Sequence, residues 1–300
     1  LMRILVPVDE SSQSTRLIHF LLERDSLLGT DPEIELVNVQ YSVPESLIRL
    51  FGLNEVKKYY QDTGVNVFED LQKKTDFRSK LRTATERVMY GDVVKMLAEE
   101  AEASKADLIV MGARGLNPVQ GLIFGSVSNG LLARTHVPML VVRDESKLPE
   151  KKMRVGILVD GSAYGAAAAN YVLEHLELFG EDPEFTVVHC AEPVPDPITP
   201  NPVNPMMPVL SREEIDEEQQ TRFHEAVQPV LDPFEVAGLN VKAQLLVGEA
   251  DLELPSFANG NLDLIVMGSH GRGNFTAAVL GSTAMHIAAE TKVPMLVIRK

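Results

Sequence analysis

Short apolar runs with no internal alternation recur along this chain, each followed by a longer stretch whose apolar positions fall three or four apart. The run over 3–8 (RILVPV) ends at Asp9, and the run over 154–159 (RVGILV) ends at Asp160. Continuous apolar runs of this length predict strands buried on both faces, as in a parallel sheet. Each is followed by a serine-containing turn and a helical pattern: Leu17, Ile18, Leu21 and Leu22 in the first case, 166–178 in the second. Second strands are predicted over 34–39 and 185–190, and third strands over about 80–88 and 241–247, ending before Gly91 and Gly248. Helices follow at roughly 92–103 and 252–258. Fourth strands end at glycine clusters, fourth helices begin at Ser126 and Ser282, and fifth strands cover 139–142 and 295–298. Strands alternating with helices predict βαβ crossovers and an α/β fold of two Rossmann-like doubly wound domains, each on a five-stranded parallel sheet. Ligands of such sheets bind beyond the carboxyl ends of the strands, where the strand order reverses.

The pattern occurs twice because the sequence does. Between 107 and 143, 17 of 37 residues are identical to those 156 further on, without a gap. We therefore divide the chain into domains at 1–145 and 152–300, joined by a short polar linker around Pro149. The halves diverge most between their second and third strands. Residues 41–77 look helical and amphipathic, whereas 193–208 hold seven prolines, which predicts an extended loop. That loop carries Met206 and Met207 and reads either as a variable tether or as a cover for a partner or a pocket. Ser211-Arg-Glu-Glu214 then reads as a capping box opening a helix.

Composition narrows the chemistry. A hydrophobic fraction of 45% and a charged fraction of 24% are those of a soluble globular protein. No apolar run reaches the roughly 18–20 residues of a membrane span. The net charge of −15 argues against nucleic acid and anionic membrane surfaces as partners. The one cysteine, Cys190, excludes an intrachain disulfide and a Cys-rich metal site, and the expected compartment is the cytoplasm. A phosphate-bearing ligand would have to be held by backbone amides, a few local cations and a divalent metal.

The glycine clusters supply such amides. Gly112-Ala-Arg114-Gly115, nine residues and Gly125-Ser126 form the first copy; Gly268-Ser-His270-Gly271, nine residues and Gly281-Ser282 form the second. A strand delivers the chain to a glycine that lets a ligand approach the backbone, and the chain re-enters a helix whose free amides and positive end suit a phosphate. The competing reading gives the glycines only to tight turns and the serines only to helix capping. Asp9 and Asp160 have a similar alternative as caps of the next helix. No Gly-x4-Gly-Lys-Ser/Thr occurs, and Gly271-Arg-Gly273 lacks the third glycine of a dinucleotide fingerprint, since Thr276 stands there. The seven histidines form no His-x3-His pair. His189 and Cys190 are strand neighbours facing opposite ways, so they make no catalytic pair. We read Cys190 as a buried small hydrophobe.

The repeated Gly-x2-Gly-x9-Gly-Ser after Asp-Leu-Ile-Val-Met, with a first strand ending in Asp, resembles the universal stress protein family, specifically its tandem two-domain members. The resemblance covers nearly the whole chain. It implies an ATP or related adenine-nucleotide site with magnesium. The ends of the first strands would lie near ribose and adenine: Pro7, Val8 and Asp9, and Val159 and Asp160. Val39 and Cys190 would hold adenine through their backbone. Met111, Gly112, Arg114, Gly115, Gly125, Ser126 and Val127 would line the phosphate side of the first site. Met267, Gly268, His270, Gly271, Gly281, Ser282 and Thr283 would line the second. The resemblance also implies pairing through the fifth strands, here within one chain as an internal pseudo-dimer that can pair again. Two departures stand out. Glu10 replaces a usual glycine and is expected to add a carboxylate near the first pocket, and His270 replaces Arg114 in the second loop. The expected function is a stress-response protein acting through nucleotide-dependent interaction with a protein partner. Slow ATP hydrolysis is the most catalysis expected, since no base, arginine finger or nucleophile stands out. The alternative is an interaction scaffold with vestigial pockets.

Overall fold

The computed structural model describes residues 2–23, 31–113, 125–143, 146, 152–194, 210–269, 287–288 and 290–299. In the first half, β1 (Arg3–Pro7), β2 (Glu33–Gln40), β3 (Thr85–Tyr90), β4 (Leu108–Ala113) and β5 (Met139–Arg143) alternate with helices. These are α1 (Ser12–Glu23), α2 (Glu45–Phe51), α3 (Leu53–Thr75), α4 (Phe77–Lys80), α5 (Val93–Ala103) and α6 (Ser126–Arg134). The second half repeats the plan with β6 (Arg154–Leu158), β7 (Glu184–Ala191), β8 (Val241–Val247), β9 (Leu264–Ser269) and β10 (Met295–Arg299). Its described α-helices are α7 (Ala163–Glu174), α8 (Arg212–Val236) and α9 (Ala250–Asn261), with a 3-10 turn at Leu176–Phe179. The Ser211 capping box is present, with both reciprocal hydrogen bonds to Glu214.

All ten strands form one sheet in the order β3-β2-β1-β4-β5-β10-β9-β6-β7-β8. Every pairing within a half is parallel; the halves join through the single antiparallel pair β5–β10, with Leu140 opposite Leu296. The fifth strands thus pair inside the chain. Because the inner strands β1, β4, β5, β6, β9 and β10 are largely apolar, their side chains leave both faces of the sheet into covered cores, whereas the edge strands β3 and β8 carry polar residues and stay partly exposed. Ile4 and Val6 pack in the layer on one face, Leu5 in the layer on the other. Each layer runs across the seam: Leu140 and Leu296 share the first, Val141 and Val297 the second. Burying each such aliphatic side chain contributes about 1.5–3 kcal/mol.

The third strand departs from the sequence pattern. It starts at Thr85, and 77–80 are helical instead. The cause lies at Asp76, whose left-handed backbone (φ 53°) ends α3 and aims the fully buried Phe77 into the core. Arg78 then fixes the short helix by ion pairs to Glu69 and Glu86.

In each half the order of parallel strands reverses beside the first strand, between β1 and β4 and between β6 and β9. The described ends of the glycine motifs meet the first-strand aspartates there.

Candidate functional site

The carboxyl end of β1 is held from two sides. The Val8 amide donates to the Val37 carbonyl at 2.9 Å, and the Asn38 side-chain amide donates to the Val8 carbonyl at 2.9 Å. The chain then turns at Asp9, whose Oδ1 accepts from the Ser11 amide (2.9 Å), the Ser11 hydroxyl and the Ser14 hydroxyl (2.9 Å). The Asp9 amide in turn donates to Ser14 Oγ at 2.8 Å. Asp9 therefore organises the turn ahead of α1 and leaves its second carboxylate oxygen uncommitted among the described residues. Glu10 is exposed next to Asp9, beside the cavity and not among the residues that line it.

That cavity has a volume of about 450 Å³. From β1 it receives Pro7, Val8 and Asp9; from β4, Met111 and Gly112. Val37, Val39 and Tyr41 form one wall at the end of β2, on the same face by the two-residue period of a strand. Val93 and Leu97 of α5 close the apolar side, and Gly125, Ser126 and Val127 bring the start of α6. All nine described residues that the sequence nominated in the first half thus meet around one cavity. Arg114 and Gly115 lie outside the described residues.

Gly125 enters α6 with φ 89°, a left-handed conformation that side chains adopt only under strain, although nothing lies within 4 Å of the Cβ it lacks. It is Gly125, and not Ser126, that occupies the N-cap position, and no side chain among the described residues caps this end. The first amides of α6 are therefore left for another acceptor. The Ser126 hydroxyl is also uncommitted among the described residues, so the competing reading of this serine as a helix cap does not hold. Asp9 is the one charged side chain among the described residues that line the cavity. One end of the cleft is thus apolar and the other offers helix-start amides that no side chain caps among the described residues.

The second half repeats the frame with different detail. The Asp160 carboxylate accepts from the Ser162 amide at 2.9 Å. His189 Nδ1 lies 3.0 Å from the Val159 carbonyl, so it donates there as Asn38 does to Val8. Cys190 points away from His189, with Sγ 3.6 Å from the Gly248 carbonyl. It is partly exposed and not buried as expected, because the ends of β7 and β8 lie at the edge of the sheet. Burial, reinforced by the charge of Glu253, holds its thiol above the usual range. Met267 is buried at the end of β9. At Gly268 an added Cβ would lie 2.6 Å from Tyr164 Cβ and 2.9 Å from its carbonyl oxygen, whereas at Gly112 the nearest atom is the Gln13 carbonyl oxygen at 3.6 Å. Helix α7 therefore presses closer to its sheet than α1 does. His270, Gly271, Gly281, Ser282 and Thr283 lie outside the described residues.

Sequence reasoning missed Asn38 and His189. Their signal was available: each is a polar residue near the carboxyl end of a second strand, and they stand 151 apart, as do Asp9 and Asp160. It also missed Gln13, Ser14 and Tyr41, which join the cavity through the fold alone.

The profile described as the universal stress protein family matches residues 1–143 and again 153–299. A universal stress protein of Mycolicibacterium smegmatis is 25% identical over 304 aligned positions, covering 99% of this chain and 96% of that one. One from Mycobacterium tuberculosis is 28% identical over 219 positions, covering 72% of this chain and 65% of that one. Among solved structures, a universal stress protein from Archaeoglobus fulgidus superimposes with a TM-score of 0.68 at 19% identity, covering 99% and 98% of the two chains.

Proposed function

The chain belongs to the universal stress protein family, and on that premise we propose that its first half binds an adenine nucleotide, ATP or a close relative. The observation that carries the reading is the pairing of an apolar recess with an uncapped helix start in one cavity. Adenine would lie against Val37, Val39, Leu97 and Met111, a ribose hydroxyl would donate to the uncommitted oxygen of Asp9, and phosphate would accept from the first amides of α6. A backbone cradle suits a protein of net charge −15, because it binds phosphate without a cationic surface.

Magnesium usually keeps several waters and takes one or two carboxylates together with substrate phosphates. Asp9 is the single carboxylate available in the cleft, and no group of three metal-binding side chains occurs among the described residues. These residues fit an ion that arrives with the phosphates, with Asp9 as its one protein ligand. Asp9 Oδ1 is already engaged by three donors. We read the site as one for binding, with the bound state tuning a protein interaction, and not as one for efficient turnover.

A second reading, an interaction scaffold, draws on α2. This helix buries none of its residues, and Leu50, Phe51, Leu53 and Tyr59 stand exposed along α2 and the start of α3. Native mass spectrometry of the gently purified protein separates the readings. Co-purified adenine nucleotide supports the first. No bound nucleotide, with calorimetry giving identical flat titrations of ATP and magnesium into the parent and Gly125→Val, removes it and leaves the scaffold.

A further inference from the structure

A second cavity, of about 310 Å³, opens beside the first and shares Gln13, Leu17 and Gly112 with it. Its chemistry differs. Arg16 and His19 of α1 and Arg143 at the end of β5 line it, with Glu23 as the one acidic member among the described residues. The Arg143 side chain crosses the seam to donate to the Ala288 carbonyl, so its charge is held in place by the other half. Arg16 is exposed and donates to Ser12 Oγ at 3.3 Å. The first cavity has no described cation and the second has two arginines.

Two details mark the shared boundary. Gln13 Nε2 is buried there without a hydrogen-bond partner, and a buried unpaired donor typically costs about 1–3 kcal/mol. Gly112 is the second. A Cβ there would meet only ordinary contacts at 3.6–3.8 Å, and its backbone is not left-handed, so neither packing nor conformation requires glycine. Its missing side chain keeps the boundary between the chambers low. Arg16 and His19 are not demanded by the fold either: at the matching positions of α7, 151 residues on, stand Ala167 and Asn170, whereas Arg143 is matched by Arg299 at the end of β10.

We propose that the two chambers form one bipartite site, and that the cationic chamber takes the distal phosphates of an adenine nucleotide whose base occupies the apolar one. The inference rests on the adenine-nucleotide reading and adds to it a preference for a polyphosphate over a monophosphate tail. The chain of phosphates passes over Gly112, the Gln13 amide donates to one of its oxygens, and Arg16 and Arg143 neutralise its end.

Calorimetric titration of the full chain with adenosine, AMP and ATP tests this, using the parent, Arg16→Gln and Gly112→Ala. The parent is expected to bind ATP at least tenfold more tightly than AMP. Arg16→Gln is expected to lower ATP affinity severalfold, to leave adenosine and AMP unchanged, and to weaken the salt dependence of ATP binding. Gly112→Ala is expected to compress the ATP-to-AMP ratio while unfolding at the parent's temperature. Equal affinities for AMP and ATP in the parent, or an unchanged ratio in both variants, overturn the bipartite site and leave the nucleotide reading intact. A parent that binds none of the three ligands overturns both.

Discussion

The two motif glycines are expected to differ in what they contribute to stability, although they occupy equivalent strand ends. In Gly268→Ala the new methyl would lie 2.6 Å from Tyr164 Cβ, 2.9 Å from its carbonyl oxygen and 3.1 Å from its carbonyl carbon. Non-bonded carbons settle about 3.5–4.0 Å apart. Two of the three atoms are helix backbone, so relief requires α7 to retreat from β9 by roughly an ångström and not merely a side chain to rotate. Overpacking of this kind typically costs about 1–3 kcal/mol. In Gly112→Ala the corresponding distances are 3.6, 3.8 and 3.8 Å, and nothing has to move. The loss of unfolded-state freedom then favours alanine by about 0.4–1 kcal/mol at a compatible site. Urea or thermal unfolding followed by circular dichroism reads both. At roughly 2–4 °C per kcal/mol for a domain of about 150–250 residues, Gly268→Ala is expected to melt several degrees below the parent. Gly112→Ala is expected to melt at or slightly above it. Equal losses in the two variants, or a larger loss for Gly112→Ala, would refute the inequality of the two helix–sheet contacts.

Three further outcomes follow from the geometry. Asn38→Leu leaves the Val8 carbonyl and Gln40 Nε2 without their present partner, so a loss of about 1–3 kcal/mol is expected in urea unfolding; an unchanged midpoint would show that the Asn38 tie contributes nothing to the β1 end. Glu35 is held above the usual carboxylate range by burial and by the charge of Glu100, outweighing nearby Arg87. An acid with a raised folded-state pKa favours folding when protonated, and that contribution is lost as pH rises through its folded value. Glu35→Gln is therefore expected to raise stability at pH 7 and to lose that advantage below about pH 4, where the unfolded carboxyl also protonates; a gain that persists undiminished in acid would contradict this origin. The Cys190 thiol, raised by burial and Glu253, is expected to react with iodoacetamide at pH 8 more slowly in the folded chain than in urea, and equal rates would contradict its shielding.

The strand plan was legible because a sheet covered on both faces writes itself as unbroken apolar runs. The run 3–8 and the Leu-Ile-Val-Met segments are read directly in this way, and the internal repeat, offset by 151 residues at the first strands and by 156 at the fourth, doubled each signal. The third strand was misplaced because residues 80–84 have no apolar run of their own; the deciding feature is a positive φ at Asp76, which sequence periodicity does not report. The nominated residues of the first cavity were legible from the motif. The Asn38 and His189 ties escaped notice because a single polar residue in a strand reads as a blemish until its partner carbonyl is seen. Cys190 shows the limit of local sequence: its exposure depends on which neighbours the sheet edge brings against it. The cationic chamber combines α1 with the end of β5, more than 100 residues apart, and no local pattern joins those segments.

Hydrogen–deuterium exchange mass spectrometry of the full chain with and without ATP and magnesium tests the central claim most directly. Slowed exchange is expected in peptides covering Asp9–Ser14 and Gly125–Ser128, the turn and the helix start that meet in the first cavity. Exchange in both peptides that is indifferent to saturating ATP would contradict an adenine-nucleotide site between β1 and α6.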